Sequence, residues 1–413
     1  MRLYFDLPQL DAQLLRTISY TSADGADIGE CLSTAEKIKE DQWDSWYDNW
    51  VATAERIEEN AETSINAGNL ISARQAYLRA SNYYRTAYFF LNGSPPEKRL
   101  LQAYQHHVHT FSKAAELFPH PVIPVRIPYE TSFLPGYFYK VDASDAKHPT
   151  LIINSGYDST HQESYLALAA AALKRGFHVL CFDGPGQGEA LIKNNLYMHP
   201  DWENVITPVV DFLLTIPEVQ ADAIILTGIS WGGLLAARAA AYEHRVAALI
   251  THPGQFDALD SIKKSFPEIT SLLQKDENGI LDKYMMQILT NSMMALKFKA
   301  KMWVHGIHSP VELLRQWQSY TLEGIVQNIT CPTLVLDAEN EQYSAGQAKE
   351  FFQRLICQKA YVLFTNAEGA GEHCAAGALT LFHQKTFDWL EILLDKKIPS
   401  LLDSKDQEPV YSL

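Results

Sequence analysis

The spacing of apolar positions changes twice along the chain, and each change marks a different kind of structure. Through residues 1–121 apolar side chains recur at three- and four-residue steps, with no run that reads as a strand. Trp43, Trp46, Trp50, Ala54 and Ile57 fall on one helical face as a stripe of core residues, and Gly68 ends that helix as a left-handed cap. A second helix carries Ala73, Ala76, Tyr77, Ala80 and Tyr84 on one side and stops near Asn92-Gly93-Ser94-Pro95-Pro96. One helix pair without a repeat is not a tetratricopeptide-type array. The segment therefore reads as a helical cap on the rest of the chain, or as a homodimer surface.

From Val122 the pattern changes to strands. Val122–Tyr129 and Leu134–Val141 predict an antiparallel pair, and Pro149–Asn154 a buried strand that ends in Ser155-Gly156-Tyr157-Asp158. Thr160-x-x-Glu163 is a capping box opening a helix from Ser164 to Arg175. Phe177–Phe182 is a strand running into Asp183-Gly184-Pro185-Gly186-Gln187-Gly188. That cluster lacks Gly-Lys-Ser/Thr, and no amphipathic helix is expected directly behind it, so it reads as a tight turn rather than a phosphate loop. Asp201–Ile216 predicts a helix, Ala223–Leu226 a strand, and Val246–Ile250 another.

Short apolar strands alternating with helices predict an α/β fold whose mostly parallel sheet is covered on both faces. The sheet is split between residues 122–256 and 330–398. Residues 257–329 break the alternation and turn helical, which reads as a lid insertion. Five of the seven methionines lie there, beside Phe298, Trp303, Trp317 and Tyr320, suiting irregular core packing or an adaptable apolar pocket. The last strands are Pro332–Leu336 and Ala360–Phe364, the last helix is Ala376–Asp395, and residues 399–413 form a polar, loose tail.

Composition narrows the setting. The 413 residues are 47% hydrophobic and 20% charged, enough for a large core. A net charge of −15 without a basic patch argues against nucleic acid and anionic membranes as partners. Five scattered cysteines without C-x-x-C spacing argue for a reducing compartment and against a zinc site. The start of the chain has no secretory h-region and no apolar run reaches membrane-spanning length, so the expected location is cytoplasmic.

The chemistry centres on Thr227-Gly228-Ile229-Ser230-Trp231-Gly232-Gly233, set between a β-branched strand and the Ala-rich helix former 234–241. Glycines two before and two after Ser230 allow the strand to reverse into a helix, leaving the serine exposed at the tip. The alternative reading is a serine that merely caps the helix. A serine nucleophile needs a base, and the base an orienting acid. His373, in Glu368-Gly369-Ala370-Gly371-Glu372-His373-Cys374, follows the last strand and is the candidate base, while His383 on the final helix reads as packed or surface. Among Asp337, Glu339 and Glu341, the small residue Ala338 at the turn favours Glu341 as acid, with Asp337 the alternative and Glu339 and Asp257 further ones. Oxyanion donors are expected at the backbone N–H groups of Trp231 and Tyr157. Gly156, Trp231, Met294 and Trp303 are the expected substrate-binding residues.

Taken together, these stretches resemble the α/β-hydrolase family. They resemble in particular its branch of FrsA-like esterases, fungal polyketide-shortening hydrolases and 2,6-dihydroxypseudooxynicotine hydrolase. The resemblance runs through Ala80-Ser81-Asn82-Tyr83-Tyr84-Arg85, Phe182–Gly188, Gly228–Gly233, Pro253-Gly254-Gln255 and Gly369–Cys374. Relatives usually carry Leu at Trp231, Asp at Glu341, and His before the glycine where this chain has Ser155. The resemblance implies the α/β-hydrolase fold and hydrolysis at a carbonyl without metal or organic cofactor. The bond would be carbon–carbon, in a β-dicarbonyl, aryl-ketone or polyketide-like compound of secondary metabolism, or an ester. The alternatives are a thioesterase or peptidase on a carrier-bound or peptide substrate, and a non-catalytic binding protein, which would have lost part of the triad.

Overall fold

Unbroken apolar strands dictate the centre of the molecule. In the computed structural model, which describes residues 1–93, 96–274, 278–290 and 292–395, these strands join one eight-stranded sheet. The strands are β1 (Val122–Tyr129), β2 (Ser132–Tyr139), β3 (His148–Asn154), β4 (His178–Phe182), β5 (Val219–Ile229), β6 (Ala248–His252), β7 (Thr333–Ala338) and β8 (Lys359–Phe364). Their spatial order is β1-β2-β4-β3-β5-β6-β7-β8. From β4 to β8 all pairings are parallel, and β1–β2 and β2–β4 are antiparallel. Strands β4, β6 and β7 are buried along their whole length, as a sheet covered on both faces requires. Strand β1 instead alternates buried and exposed positions, and carries Pro124 and Pro128 at the edge, where a missing N–H is tolerated.

The N-terminal region is helical: α1 (Pro8–Ser19), α2 (Ile28–Ala35), α3 (Trp43–Asn66), α4 (Leu70–Tyr88) and α5 (Lys98–Ala115). The tryptophan stripe is core. Trp46 and Trp50 are fully buried against each other, with ring centroids 5.7 Å apart. The Trp46 indole N–H donates to the Thr86 carbonyl of α4 at 2.8 Å. Helices α1, α2 and α5 agree with the helical reading of residues 1–121, which delimited only the other two.

Three expectations need correction, and a fourth falls outside the described residues. The helix after β3 is not one regular helix: α6 (His161–Ser164) passes through a π-turn at Tyr165–Ala169 into α7 (Ala170–Leu173). Its capping box is half formed. Thr160 Oγ1 accepts the Glu163 N–H at 3.2 Å, but the Glu163 carboxylate turns to arginines of the N-terminal helices. A short helix, α8 (Gly188–Ile192), does start directly behind the glycine cluster, which is nonetheless a tight turn with Gly186 at φ 84°. The expected tail at residues 399–413 lies outside the described residues.

Helices α9 (Glu203–Leu214) and α10 (Gly232–Ala240) flank β5 in sequence. The insertion between β6 and β7 is α11 (Asp260–Ser265), α12 (Pro267–Gln274), α13 (Asn278–Ile288), α14 (Ser292–Val304) and α15 (Pro310–Trp317). Helices α16 (Gln347–Arg354) and α17 (Leu379–Asp395) complete the chain. His383 on α17 is buried and its Nε2 donates to the Ala167 carbonyl at 2.7 Å, a packing role. No helix among the described residues is long and apolar enough to cross a membrane.

Candidate active site

At the C-terminal end of β5 the backbone reverses into α10 within three residues. Ser230 takes a left-handed conformation, φ 56°, at the tip, and its N–H donates to the His252 carbonyl at 2.7 Å. Only glycines fit around it. A Cβ on Gly228 would stand 2.2 Å from the Gly232 carbonyl oxygen, and one on Gly232 would stand 2.4 Å from that of Asn154. The turn places Ser230 and Trp231 at the start of α10, where the partial positive charge of the helix favours an anion.

Ser230 Oγ lies 2.8 Å from His373 Nε2, and His373 Nδ1 lies 2.5 Å from Glu341 Oε2. Glu341 sits in the turn after β7 and His373 in the loop after β8, so the ends of β5, β7 and β8 supply the three side chains, with β6 between the first two. The second oxygen of Glu341 accepts the N–H groups of Tyr343 (2.8 Å) and Ser344 (3.3 Å). With Nδ1–H donated to Glu341, the neutral imidazole presents Nε2 as an acceptor for the serine proton. Burial opposes the imidazolium of His373. The neighbouring Cys374 thiol and the Glu341 carboxylate outweigh it and raise His373 well above the ordinary histidine value. Burial likewise opposes the Glu341 carboxylate, but the facing His373 and the two amides hold it below the ordinary value.

The other carboxylates considered for the acid are engaged elsewhere. Asp337 accepts the Ala338 N–H and the Tyr361 hydroxyl, and burial raises its carboxyl. Glu339 accepts the Asn366 N–H at 2.6 Å. Asp257 accepts the Leu259 N–H and pairs with Lys263.

The loop after β3 runs alongside Ser230. A Cβ on Gly156 would stand 2.9 Å from Ser230 Cβ and 3.4 Å from its Oγ, so a bare glycine allows the loop to lie against the serine. The loop is tied to the N-terminal helices beyond Tyr157. Arg16 of α1 pairs with Asp158 at 2.9 Å and with Glu163 at 2.8 Å. Arg85 of α4 is 1% exposed; it stands 3.3 Å from Glu163 and 3.7 Å from Asp158, and the Tyr20 hydroxyl donates to Glu163 at 2.7 Å. Burial would raise Glu163 and Asp158, but Arg16 and Arg85 prevail and hold both below the ordinary carboxylate range. The motif containing Arg85 knits the same region. Asn82 donates to the Gly25 carbonyl, Tyr83 to Glu30 and Tyr84 to Glu58.

Trp231 is surrounded by rings. Tyr157 meets it edge-on at 5.1 Å between centroids, Trp317 of α15 lies at 5.7 Å, and Tyr320 at 5.6 Å. Behind them His305 accepts the Trp317 indole N–H at 3.1 Å, and burial pushes its pKa down to about 3. Of the residues expected to bind substrate, Gly156 and Trp231 are thus at Ser230. Trp303 is buried and Met294 half-buried on α14, both packed into the apolar core. Tyr157 was expected here only for its amide. Trp317 and Tyr320 were noted as aromatic neighbours of the methionines, and nothing in their spacing ties them to residue 231. Among the described residues no three His, Cys, Asp or Glu side chains are grouped to hold a metal ion.

Comparison with known proteins gives this geometry a family. The model of the alpha/beta hydrolase family matches residues 133–377. The hydrolase acrC of Aspergillus aculeatus is 33% identical over 407 residues, covering 92% of this chain and 95% of that protein. The 20-hydroxy-prefusarin hydrolase FUS2 of Gibberella moniliformis is 34% identical over 398 residues, covering 92% and 95%. Among solved structures, 2,6-dihydroxy-pseudo-oxynicotine hydrolase superposes with a TM-score of 0.73 at 22% identity, over 92% of this chain and 97% of that one. On the family match and on two relatives aligned almost end to end, the chain belongs to the alpha/beta hydrolase family and is a hydrolase.

Proposed function

We propose that Ser230, His373 and Glu341 form a catalytic triad that cleaves a carbon–carbon bond next to a carbonyl, or an ester, in an apolar aromatic or polyketide-like substrate. The observation that carries this reading is the unbroken hydrogen-bond chain from Ser230 Oγ through His373 to Glu341. Ser230 Oγ attacks the substrate carbonyl as its proton passes to His373 Nε2. The resulting oxyanion is met by the N–H groups of Trp231 and Tyr157. On collapse the carbonyl re-forms, and the bond to the leaving group breaks. An ester releases an alcohol, and a β-dicarbonyl releases a carbanion delocalised as its enolate; each takes its proton from His373. Water, deprotonated by the same imidazole, then hydrolyses the acyl-serine.

One observation supports a flat, unsaturated substrate: the rings of Tyr157, Trp317 and Tyr320 gather at Trp231, beside the nucleophile. The test is mass spectrometry of the intact protein after a fluorophosphonate, followed by a panel of aryl β-diketones, aryl esters, thioesters and peptides. One phosphonyl group on the wild type, none on Ser230→Ala, and turnover confined to the first two substrate classes are expected. Labelling of Ser230→Ala, or preference for peptides, would reject the proposal.

A further inference from the structure

The glycine cluster between β4 and α8 has no part in the triad, yet Gln187 within it is 1% exposed and fully engaged. Its Oε1 accepts the Gly184 N–H at 2.9 Å. That bond fixes which end of the amide is which, so Nε2 faces the other way. Nε2 donates to two carbonyls of the loop beside the nucleophile, Ser155 and Gly156, at 2.8 Å each. The neighbouring Asp183 fastens the same loop further along, accepting the His161 N–H at 2.7 Å and lying 2.8 Å from His161 Nδ1.

The Gly156 carbonyl and the Tyr157 N–H belong to one peptide unit, and that peptide is trans. In a trans peptide the two groups point in opposite directions. A donor that holds the carbonyl on the Gln187 side therefore turns the Tyr157 N–H to the other side of the loop. Ser230 is in contact with this loop through Gly156. We infer that Gln187 is a positioning residue: by holding the Gly156 carbonyl it keeps the Gly156–Tyr157 peptide from flipping, so that the Tyr157 N–H stays available to the oxyanion. The tight turn 183–188 is then the backing of the oxyanion hole. This rests on the reading that Tyr157 N–H is an oxyanion donor.

The test compares full-length wild type, Gln187→Met and Gln187→Glu. Methionine keeps the length and removes every hydrogen bond. Glutamate keeps the shape and sets an acceptor against two carbonyls, so it also serves if the methionine variant does not fold. Circular dichroism and melting temperature select folded protein, and a p-nitrophenyl ester reads kcat and KM. Phenylboronic acid, which forms a tetrahedral adduct on serine, reads the hole directly, and the endpoint of fluorophosphonate labelling reads the nucleophile. Loss of one oxyanion donor costs about 10²–10³ in kcat. We expect kcat to fall on the order of 10²-fold and boronate affinity by a similar factor. KM should stay within about threefold and Ser230 should still label to completion, with Gln187→Glu at least as impaired as Gln187→Met. A labelled, active wild type with a folded Gln187 variant unchanged in kcat and boronate affinity would overturn this inference alone. A wild type that takes up no phosphonate would overturn the reading of the site and the inference together.

Discussion

Glu341 meets His373 at 2.5 Å through one carboxylate oxygen while its other oxygen is held by two backbone amides. The Glu341 carboxylate is thus clamped on one oxygen while the other faces the imidazole. Replacing it by the amide leaves the shape but removes the charge and the acceptor that fixes the histidine tautomer. Glu341→Gln should lower kcat by about 10³–10⁴, whereas Asp337→Asn, whose oxygens serve Ala338 and Tyr361, should keep kcat within about tenfold. Steady-state kinetics of the two purified variants decide, and the reverse order would move the acid to Asp337.

The same pair sets the pH dependence. His373 must be neutral to accept the serine proton, and its neighbours raise it well above 6.5. The ascending limb of kcat/KM should therefore lie on the alkaline side of 6.5 in the wild type. Removing the Glu341 charge takes away one raising influence and leaves Cys374 alone to offset burial, which lowers. In Glu341→Gln the limb should shift to lower pH even as the plateau drops. A limb that stays put would mean that Glu341 does not interact with the titrating base.

Much of this site could be read along the chain, for a local reason. The bend at Ser230 depends on its own neighbours, and a Cβ at Gly228 or Gly232 would collide with backbone four residues on or with the next strand end. His373 and Glu341 were narrowed down because each follows a strand, and strands announce themselves by unbroken apolar runs. What escaped the sequence depends on partners far away in it. Glu163 reads as a capping residue because Thr160 is three positions before it. Its carboxylate instead turns to Arg16, 147 residues earlier. Trp317 and Tyr320 meet Trp231 only because the insertion after β6 folds back over the strand ends.

Gly156 lets the loop after β3 lie against Ser230. Alanine there would place its methyl 2.9 Å from Ser230 Cβ, closer than such atoms approach, so either the loop or the serine must move. Displacements of this size at a reacting centre cost about 10²-fold in rate. Gly156→Ala should fold, since the strain is confined to one loop, and lose kcat on the order of 10²-fold. A folded Gly156→Ala protein with wild-type kcat would show that the loop takes no part in the reaction.

Glu163 offers a test of how the N-terminal helices hold the core. Its side chain is 3% exposed, paired with Arg16 at 2.8 Å and with Arg85 at 3.3 Å. Burial alone would raise its carboxyl above 4.5, yet the two arginines hold it below that value in the folded protein. A depressed folded value means that the ionised carboxylate stabilises the fold. That stabilisation is complete above 4.5, the value without these contacts, and is lost as pH falls through the lower folded value. Glu163→Gln removes the titration and leaves two buried guanidinium groups facing a neutral amide. Breaking a buried pair by deleting one partner costs on the order of 3 kcal/mol, so the variant should be clearly less stable than wild type at neutral pH. Because wild type loses the same contribution on protonation, the gap in melting temperature should narrow as pH is lowered below 4.5. Asp158 shares both arginines with Glu163, and His107, which burial holds down to about 4, also feels its charge, so the difference between the two melting curves reads Glu163 together with these two neighbours. A gap that stays constant or widens in acid would mean that the arginines do not stabilise its charge.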